Sequence, residues 1–128
     1  MEDKVNACGN IKNVGFLSGE ELYATISKAR FTVFPSECYE NCPFTVMESQ
    51  ICGTPVIGSN LGGIPELLTE NITGLLFESG NAQELKNKIE NLWEDKRKQE
   101  ELTKGCSSVN FDNLKEYTEK ILQVYKNC

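Results

Sequence analysis

The sequence contains no histidine and has fewer basic than acidic residues. Its 128 residues include 13 Lys and Arg against 19 Asp and Glu, for a net charge of −6. No stripe of basic residues is present, which argues against binding to nucleic acid or to an anionic membrane surface. No apolar run approaches the ~20 residues of a transmembrane segment, and the acidic segment 1–4 is not typical of a secretory signal. These absences favour a cytoplasmic location.

The cysteines are scattered along the chain, and none belongs to a Cys-x-x-Cys pair. Because the chain is long enough to bury a core, it does not need disulfides, and we expect free, reduced thiols. Without histidine or paired cysteines, no metal site is expected, and no cofactor is predicted. The spacing of Cys38 and Cys42, with no basic neighbour, gives little support to redox chemistry. The six cysteines are Cys8, Cys38, Cys42, Cys52, Cys106 and Cys128.

The length suits one domain, which we place at residues 1–128. Short apolar runs alternate with amphipathic stretches, as expected for βαβ units. The sequence therefore predicts an α/β fold, a three-layer Rossmann-like domain with a parallel sheet and right-handed crossovers. In such sheets, ligands bind beyond the carboxyl ends of the strands. Strands are expected at 14–17, 31–35, 55–59 and 73–78.

Helix signals fill the intervals between these strands. Ser18 followed by Glu21 has the form of a capping box, and Asn81 followed by Glu84 has the same spacing. The charged stretch 94–104 is expected to be helical and solvated, and a last helix at 111–125 carries one apolar stripe. Trp93 and Tyr125 are expected to pack between helices. Other helices are predicted at 18–29, 43–52, 65–69 and 81–94, and the expected core includes Met47, Ile51, Leu67 and Leu68.

The helix that starts near Pro43 is a candidate anion site. Proline fits the first turn of a helix, because its missing N–H group has no intrahelical partner to lose. The free N–H groups of Phe44, Thr45 and Val46, together with the helix dipole, suit a diphosphate. Every helix has such an end, so this signal is weak by itself.

Two glutamates, Glu40 and Glu48, lie eight residues apart across the start of this helix. A carboxylate such as Glu48 can accept hydrogen bonds from a ribose hydroxyl pair, but Thr45 followed by Glu48 also has the form of a capping box. Glu40 could hold sugar hydroxyls and stabilise positive charge at an anomeric carbon, or it could be a solvated loop acid. Glu37 has the same ambiguity.

The glycine pair Gly62-Gly63 permits a close backbone approach that other residues forbid. This pair could pass against a phosphate or a sugar, with amides near Ile64 pointing inward. It could equally form a tight turn before a helix with Pro65 in its first turn. Glu66 is expected to act electrostatically in that first turn.

Taken in order, these motifs resemble the nucleotide-sugar domain of retaining glycosyltransferases of the GT-B fold, known as group 1 or family 4. The resemblance covers 13–125, and the Glu-x7-Glu pair of that family corresponds to Glu40 and Glu48. The motifs are Pro35-Ser36, Tyr39-Glu40, Pro43-Phe44, Val46-Met47-Glu48, Cys52-Gly53-Thr54-Pro55-Val56-Ile57 and Gly62-Gly63-Ile64-Pro65-Glu66.

The resemblance implies a role for each part of the site. Glu48 would hold the ribose, and Glu40 would contact the donor sugar or its phosphate environment. The amides around Phe44 and Thr45 would meet the sugar and the diphosphate, and Gly62-Gly63 would border the pocket. Such enzymes transfer a sugar from a nucleotide diphosphate to a glycan or lipid-linked acceptor, generally without a metal, as in polysaccharide biosynthesis.

The sequence departs from the family in two respects. Where the family commonly has Gly-Phe-Gly after the first glutamate, this chain has Asn41-Cys42-Pro43-Phe44-Thr45. A full enzyme has two Rossmann-like domains, and its diphosphate-binding Arg/Lys pair precedes the position of Asn13. Neither the pair nor the first domain is in this sequence. We therefore expect the chain to be the C-terminal, donor-binding half of a GT-B enzyme, inactive alone and partnered by the missing acceptor domain, through which it could reach a membrane surface.

Two other function classes fit the same composition. One is a non-catalytic nucleotide- or phosphate-binding α/β module, which would bind a nucleotide sugar without turnover. The other is a receiver-like or flavodoxin-like signalling domain. A receiver domain needs a phospho-acceptor Asp at the end of a strand, and Asp3, Asp95 and Asp112 are not at such positions.

Overall fold

The computed structural model describes residues 8–127, in which helices and short strands alternate. The three strands are β1 (Thr32–Phe34), β2 (Val56–Ser59) and β3 (Gly74–Phe77). All three pair in parallel in the order β1-β2-β3, so the predicted α/β fold with a parallel sheet is confirmed. The helices are α1 (Gly19–Ser27), α2 (Phe44–Ile51), α3 (Ile64–Leu67), α4 (Ala82–Glu94), α5 (Lys96–Cys106) and α6 (Leu114–Asn127).

Helices cover both faces of the sheet, which gives the three layers. Neighbouring residues of β2 point to opposite faces, and each face has its own apolar cluster. Val56 packs against residues of α2 and α3, whereas Ile57 packs against residues of α4 and α5. All four residues of β2 are buried, as expected for a central parallel strand covered on both sides.

The predicted strand at 14–17 does not form. Gly15 has a φ of +68°, and its N–H group donates to Asn13 Oδ1 at 2.9 Å, so a local turn interrupts the extended backbone. Phe16 is 94% exposed, and no strand within residues 8–127 pairs with this segment. The segment is apolar as predicted, but no strand within residues 8–127 covers it.

The helix caps follow the sequence signals in part. Asn81 caps α4 as predicted, with its side chain accepting from the Glu84 N–H group at 3.0 Å. Ser18 occupies the N-cap position of α1 but makes no side-chain capping bond, so the predicted capping box is wrong. Pro43 is the N-cap of α2 and not a residue of its first turn. Gly53 follows the end of α2 with a φ of +74°.

The predicted packing of the helices needs correction at several residues. Ile51, which was expected to be buried, is 66% exposed, because it lies on the outer face of α2. The apolar stripe of α6 contacts no core within the described residues, and Tyr125 is 76% exposed. Conversely, α5 is not purely solvated, because Leu102 and Cys106 are buried. Trp93 was expected to pack between helices, but its ring is 56% exposed and lies edge-on against Phe31, which precedes β1 and belongs to no helix.

The buried thiol of Cys106 predicts a pH dependence of stability. Burial raises the pKa of Cys106 to about 11 from an ordinary value of 9.0. The unfolded chain therefore loses this proton at lower pH than the folded chain does. The contribution to stability is complete below pH 9.0 and is lost as the pH rises through about 11.

We expect the free energy of unfolding to fall by on the order of 2 kcal/mol across this window. Urea denaturation at the two ends of the window measures the fall, and Cys106→Ala should remove it. The exposed Cys8→Ala variant serves as the control and should keep it. An equal fall in wild type and Cys106→Ala would show that other groups cause the effect.

Candidate functional site

The loops after β1 and β2 meet at the carboxyl edge of the sheet, the edge at which the strands end. The Gly63 N–H group donates to the Glu40 carbonyl oxygen at 2.7 Å. A Cβ atom on Gly63 would lie 2.0 Å from the Asn41 carbonyl oxygen, and one on Gly62 would lie 2.7 Å from the Glu40 carbonyl oxygen. Glycine is therefore required at both positions, because their backbone lies directly against the backbone of Glu40 and Asn41.

This contact closes one side of a cavity of about 310 Å³, which we call the acidic cavity. Glu40 and Glu66 are its acidic lining residues, and no Lys or Arg among residues 8–127 lines it. Carboxylates accept hydrogen bonds, so the cavity suits hydroxyl groups and disfavours phosphate. The lining residues are Tyr39, Glu40, Asn41, Gly62, Gly63 and Glu66.

Glu66 is a site residue that sequence reasoning missed. The sequence placed it in the first turn of α3 as an electrostatic partner of the helix, and it does lie in that turn. The available signal was its position three residues after Gly63, at the same edge as Glu40. Only the docking of the two loops brings both carboxylates to one cavity.

The start of α2 offers two N–H groups. Within the described residues, the N–H groups of Phe44 and Thr45 have no hydrogen-bond partner. The Val46 N–H group instead donates to the Pro43 carbonyl oxygen at 3.1 Å, and the Val46 side chain is buried in the core. The expectation that Val46 offers a free amide is therefore wrong. Phe44 is 72% exposed beside these amides.

Glu48 lies in the second turn of α2 and is half-buried. Pro43 caps this helix, so Thr45 is not at the N-cap and the capping-box interpretation of Glu48 is wrong. Glu48 does not line the acidic cavity. Its carboxylate acts on the neighbouring thiol, because burial first and the charge of Glu48 second raise the pKa of Cys52.

Serine residues follow the strands at the carboxyl edge. The Ser79 hydroxyl, after β3, donates to the Ser36 carbonyl oxygen, after β1, at 3.1 Å. Ser59 ends β2 between them, and its buried hydroxyl has no hydrogen-bond partner within the described residues. These contacts link the loops across the full width of the sheet.

The thiols of this region are free. Cys38 and Cys42 are exposed on the loop that carries Glu40, and Cys42 Sγ lies 3.7 Å from Met47 Sδ. Among residues 8–127, no cluster of three His, Cys, Asp or Glu side chains is arranged to hold a metal ion. In the same part of the chain, no helix has the length and apolar character to cross a membrane.

Comparison with known proteins gives one family. The family described as "Glycosyl transferases group 1" matches residues 1–107. An uncharacterized glycosyltransferase of Methanocaldococcus jannaschii is 32% identical over 115 residues, covering 90% of this chain and 30% of the relative. O-antigen chain mannosyltransferase B of Escherichia coli is 25% identical over 119 residues, covering 92% of this chain and 30% of the relative. The chain thus spans less than a third of these relatives.

Solved structures share the fold over almost the whole chain. HepE from Anabaena, in complex with UDP, superposes with a TM-score of 0.85 at 22% identity, covering 99% of this chain and 36% of that protein. Sucrose-phosphate synthase from Thermosynechococcus elongatus gives a TM-score of 0.81 at 28% identity, covering 98% of this chain and 32% of that protein. These likenesses confirm the Rossmann-like fold class of GT-B proteins.

From the contact of Gly63 with the backbone of Asn41 we predict the effect of adding one methyl group at Gly63. Gly63→Ala places a Cβ atom against the Asn41 carbonyl oxygen, which forces the two loops apart. We expect the free energy of unfolding to fall by about 1–3 kcal/mol, the usual cost of overpacking. Urea denaturation measures the change, and Gly9→Ala is the matched control, since nothing lies within 4 Å of its Cβ position. Equal stability of the two variants would contradict the prediction.

Proposed function

This chain belongs to the group 1 glycosyl transferases, and we propose that it is the donor-binding part of an enzyme that transfers a sugar from a nucleotide diphosphate sugar with retention of anomeric configuration. The observation that carries the proposal is the acidic cavity at the carboxyl edge of the sheet, together with two N–H groups at the start of α2 that have no partner within the described residues. Ligands of open α/β sheets bind at this edge. The solved HepE structures contain UDP or UDP-glucose, which supports the same ligand class here.

The charged and uncharged parts of the donor would bind at different places in the site. The diphosphate would meet the N–H groups of Phe44 and Thr45 at the positive end of the α2 dipole. It would avoid the acidic cavity, where Glu40 and Glu66 offer only acceptors. The sugar hydroxyls would occupy that cavity, because a hydroxyl can donate to a carboxylate. Pro43 and Val46 hold the start of α2 in place without contacting the donor through a free amide.

Glu40 is proposed as the catalytic carboxylate. It is half-buried, its backbone is held by Gly63, and it lines the cavity that would hold the sugar. A fixed carboxylate near the anomeric carbon would stabilise the positive charge that develops as the diphosphate leaves. Glu48, in the second turn of α2, would accept hydrogen bonds from the ribose hydroxyl pair. Gly62 and Gly63 would form the part of the cavity wall that lies between Glu40 and Glu66.

The transfer reaction requires more than this chain. Among residues 8–127, no Lys or Arg that could support the leaving diphosphate lines the acidic cavity. We therefore propose that residues 1–128 form the C-terminal domain of a two-domain enzyme, with a glycan or lipid-linked acceptor bound by the other domain. The exposed apolar stripe of α6, which includes Leu114 and Ile121, would pack against that domain.

Donor binding tests the assignment of the two glutamates. Calorimetry with UDP and UDP-glucose, followed by other nucleoside diphosphates and their sugars, measures affinity. For the nucleoside diphosphate that binds best, Glu48→Ala should lower the affinity for both the bare nucleotide and its nucleotide sugar by roughly tenfold or more. The reason is the loss of charged hydrogen bonds to the ribose. Glu40→Ala should weaken the sugar-bearing member more than the bare nucleotide.

The control is Glu90→Ala, which changes an exposed helical glutamate that pairs with Lys86 and does not line the acidic cavity. It should bind as wild type does. Equal binding by Glu48→Ala and wild type would remove the ribose assignment. Normal nucleotide-sugar binding without turnover by the full-length protein would favour a non-catalytic binding module.

Activity of the isolated chain is the second test of the proposal. Because the acceptor and the diphosphate-binding cations are expected from other parts of the enzyme, the purified 128-residue chain should bind donor weakly and transfer no sugar. A radiolabelled-donor assay with the full-length enzyme as the positive control measures this. Sugar transfer by the 128-residue chain would contradict the two-domain proposal.

A further inference from the structure

A second cavity, of about 510 Å³, lies at the opposite edge of the sheet. Ala29 and Arg30 line it, and both lie within three residues before β1, whereas the loop with Glu40 follows β1. The two cavities are therefore at opposite ends of the same strand. The volume is within the range of small-molecule sites, about 300–1,000 Å³.

One face of α5 forms the far wall of this second cavity. Residues spaced three or four apart on a helix lie on one face. The lining residues of α5 follow that spacing and are all polar, with cations at both ends of the run. They are Lys96, Gln99, Glu100, Thr103 and Lys104. We call the site the basic cavity.

Arg30 is held in a fixed orientation at the near wall. Its guanidinium lies 4.0 Å from the centroid of the Trp93 ring, and its Nη2 donates to the Trp93 carbonyl oxygen at 2.7 Å. Its Nε donates to Gln99 Oε1 at 3.0 Å, and the Gln99 amide in turn donates to the Leu92 and Trp93 carbonyl oxygens. The Nη1 donors have no partner within the described residues. The guanidinium is thus held in one orientation, and its Nη1 donors remain available to a ligand.

The charge of the basic cavity is opposite to that of the rest of the chain. Three cations and one carboxylate, Glu100, line it, although the whole chain has more acidic than basic residues. The acidic cavity is lined by two glutamates and, among residues 8–127, by no Lys or Arg. A group with two or more negative charges would be attracted to the basic cavity and repelled from the acidic one. Arginine and lysine around one cavity are the usual partners of phosphate.

We propose that the basic cavity binds a phosphate group, either of a soluble phosphorylated molecule or of a phospholipid headgroup. Arg30 supplies an oriented guanidinium, and Lys96 and Lys104 supply mobile point charges at either end. Thr103 supplies a hydroxyl between them. Glu100 limits the affinity by repulsion. The proposal does not depend on donor binding at the carboxyl edge.

Inorganic pyrophosphate is the first probe. Its binding to the 128-residue chain is measured by two-dimensional NMR. Titration at constant ionic strength, with sodium chloride as the balance, should shift the amide signals of Arg30, Gln99 and Thr103. The double variant Lys96→Gln/Lys104→Gln should bind roughly tenfold more weakly, since it loses two charged contacts. Glu100→Gln should bind more tightly than wild type.

The matched control is Lys86→Gln/Lys115→Gln, which removes two exposed helical lysines from positions outside the basic cavity. It should bind pyrophosphate as wild type does. The four lysines are exposed, so both double variants should keep the fold, which circular dichroism checks. Equal weakening by the two double variants, or no site-specific shift at the cavity amides, would overturn the proposal.

A vesicle arm distinguishes the two sources of phosphate. Sedimentation with phosphatidylcholine vesicles that contain phosphatidic acid, and with pure phosphatidylcholine vesicles, measures headgroup binding. Capture by the acidic vesicles that the Lys96→Gln/Lys104→Gln variant loses supports a lipid source. Pyrophosphate binding without vesicle capture supports a soluble source. Absence of pyrophosphate binding overturns the proposal whatever the vesicles show, while the glutamate variants at the carboxyl edge report separately on donor binding.

Discussion

The candidate site depends on one backbone contact, the hydrogen bond from the Gly63 N–H group to the Glu40 carbonyl oxygen. The two residues follow different strands, so the bond ties two loops into one rim. It forms only because Gly62 and Gly63 have no side chain where the loop backbone lies. The half-buried position of Glu40 at this edge therefore depends on two glycines, whether or not they contact a ligand.

Charge is segregated along the strands. At the carboxyl edge, the acidic cavity has acceptors and no cation, whereas at the amino edge Arg30 stands over Trp93 beside two lysines. An α/β sheet allows this separation, because the loops at its two ends come from different parts of the sequence. A single chain with a net charge of −6 can thus carry surfaces of both signs.

Much of the fold follows from local sequence signals, and the exceptions have physical causes. Three of the four expected strands form, since each has a neighbour to pair with; the segment 14–17 has none within the described residues. Asn81 caps its helix because the capping bond is local. Ile51 was placed in the core wrongly, because periodicity identifies an apolar face but not whether another element covers it.

The sequence by itself determined the alternation of strands and helices, the positions of Glu40 and Glu48 on either side of the start of α2, and the glycine pair, because these features are local or are spaced along one element. The tertiary structure alone decided that the glycines contact the loop of Glu40 and that Glu66 joins the same cavity. These outcomes depend on distances between residues far apart in the chain, which loop docking sets and residue spacing does not.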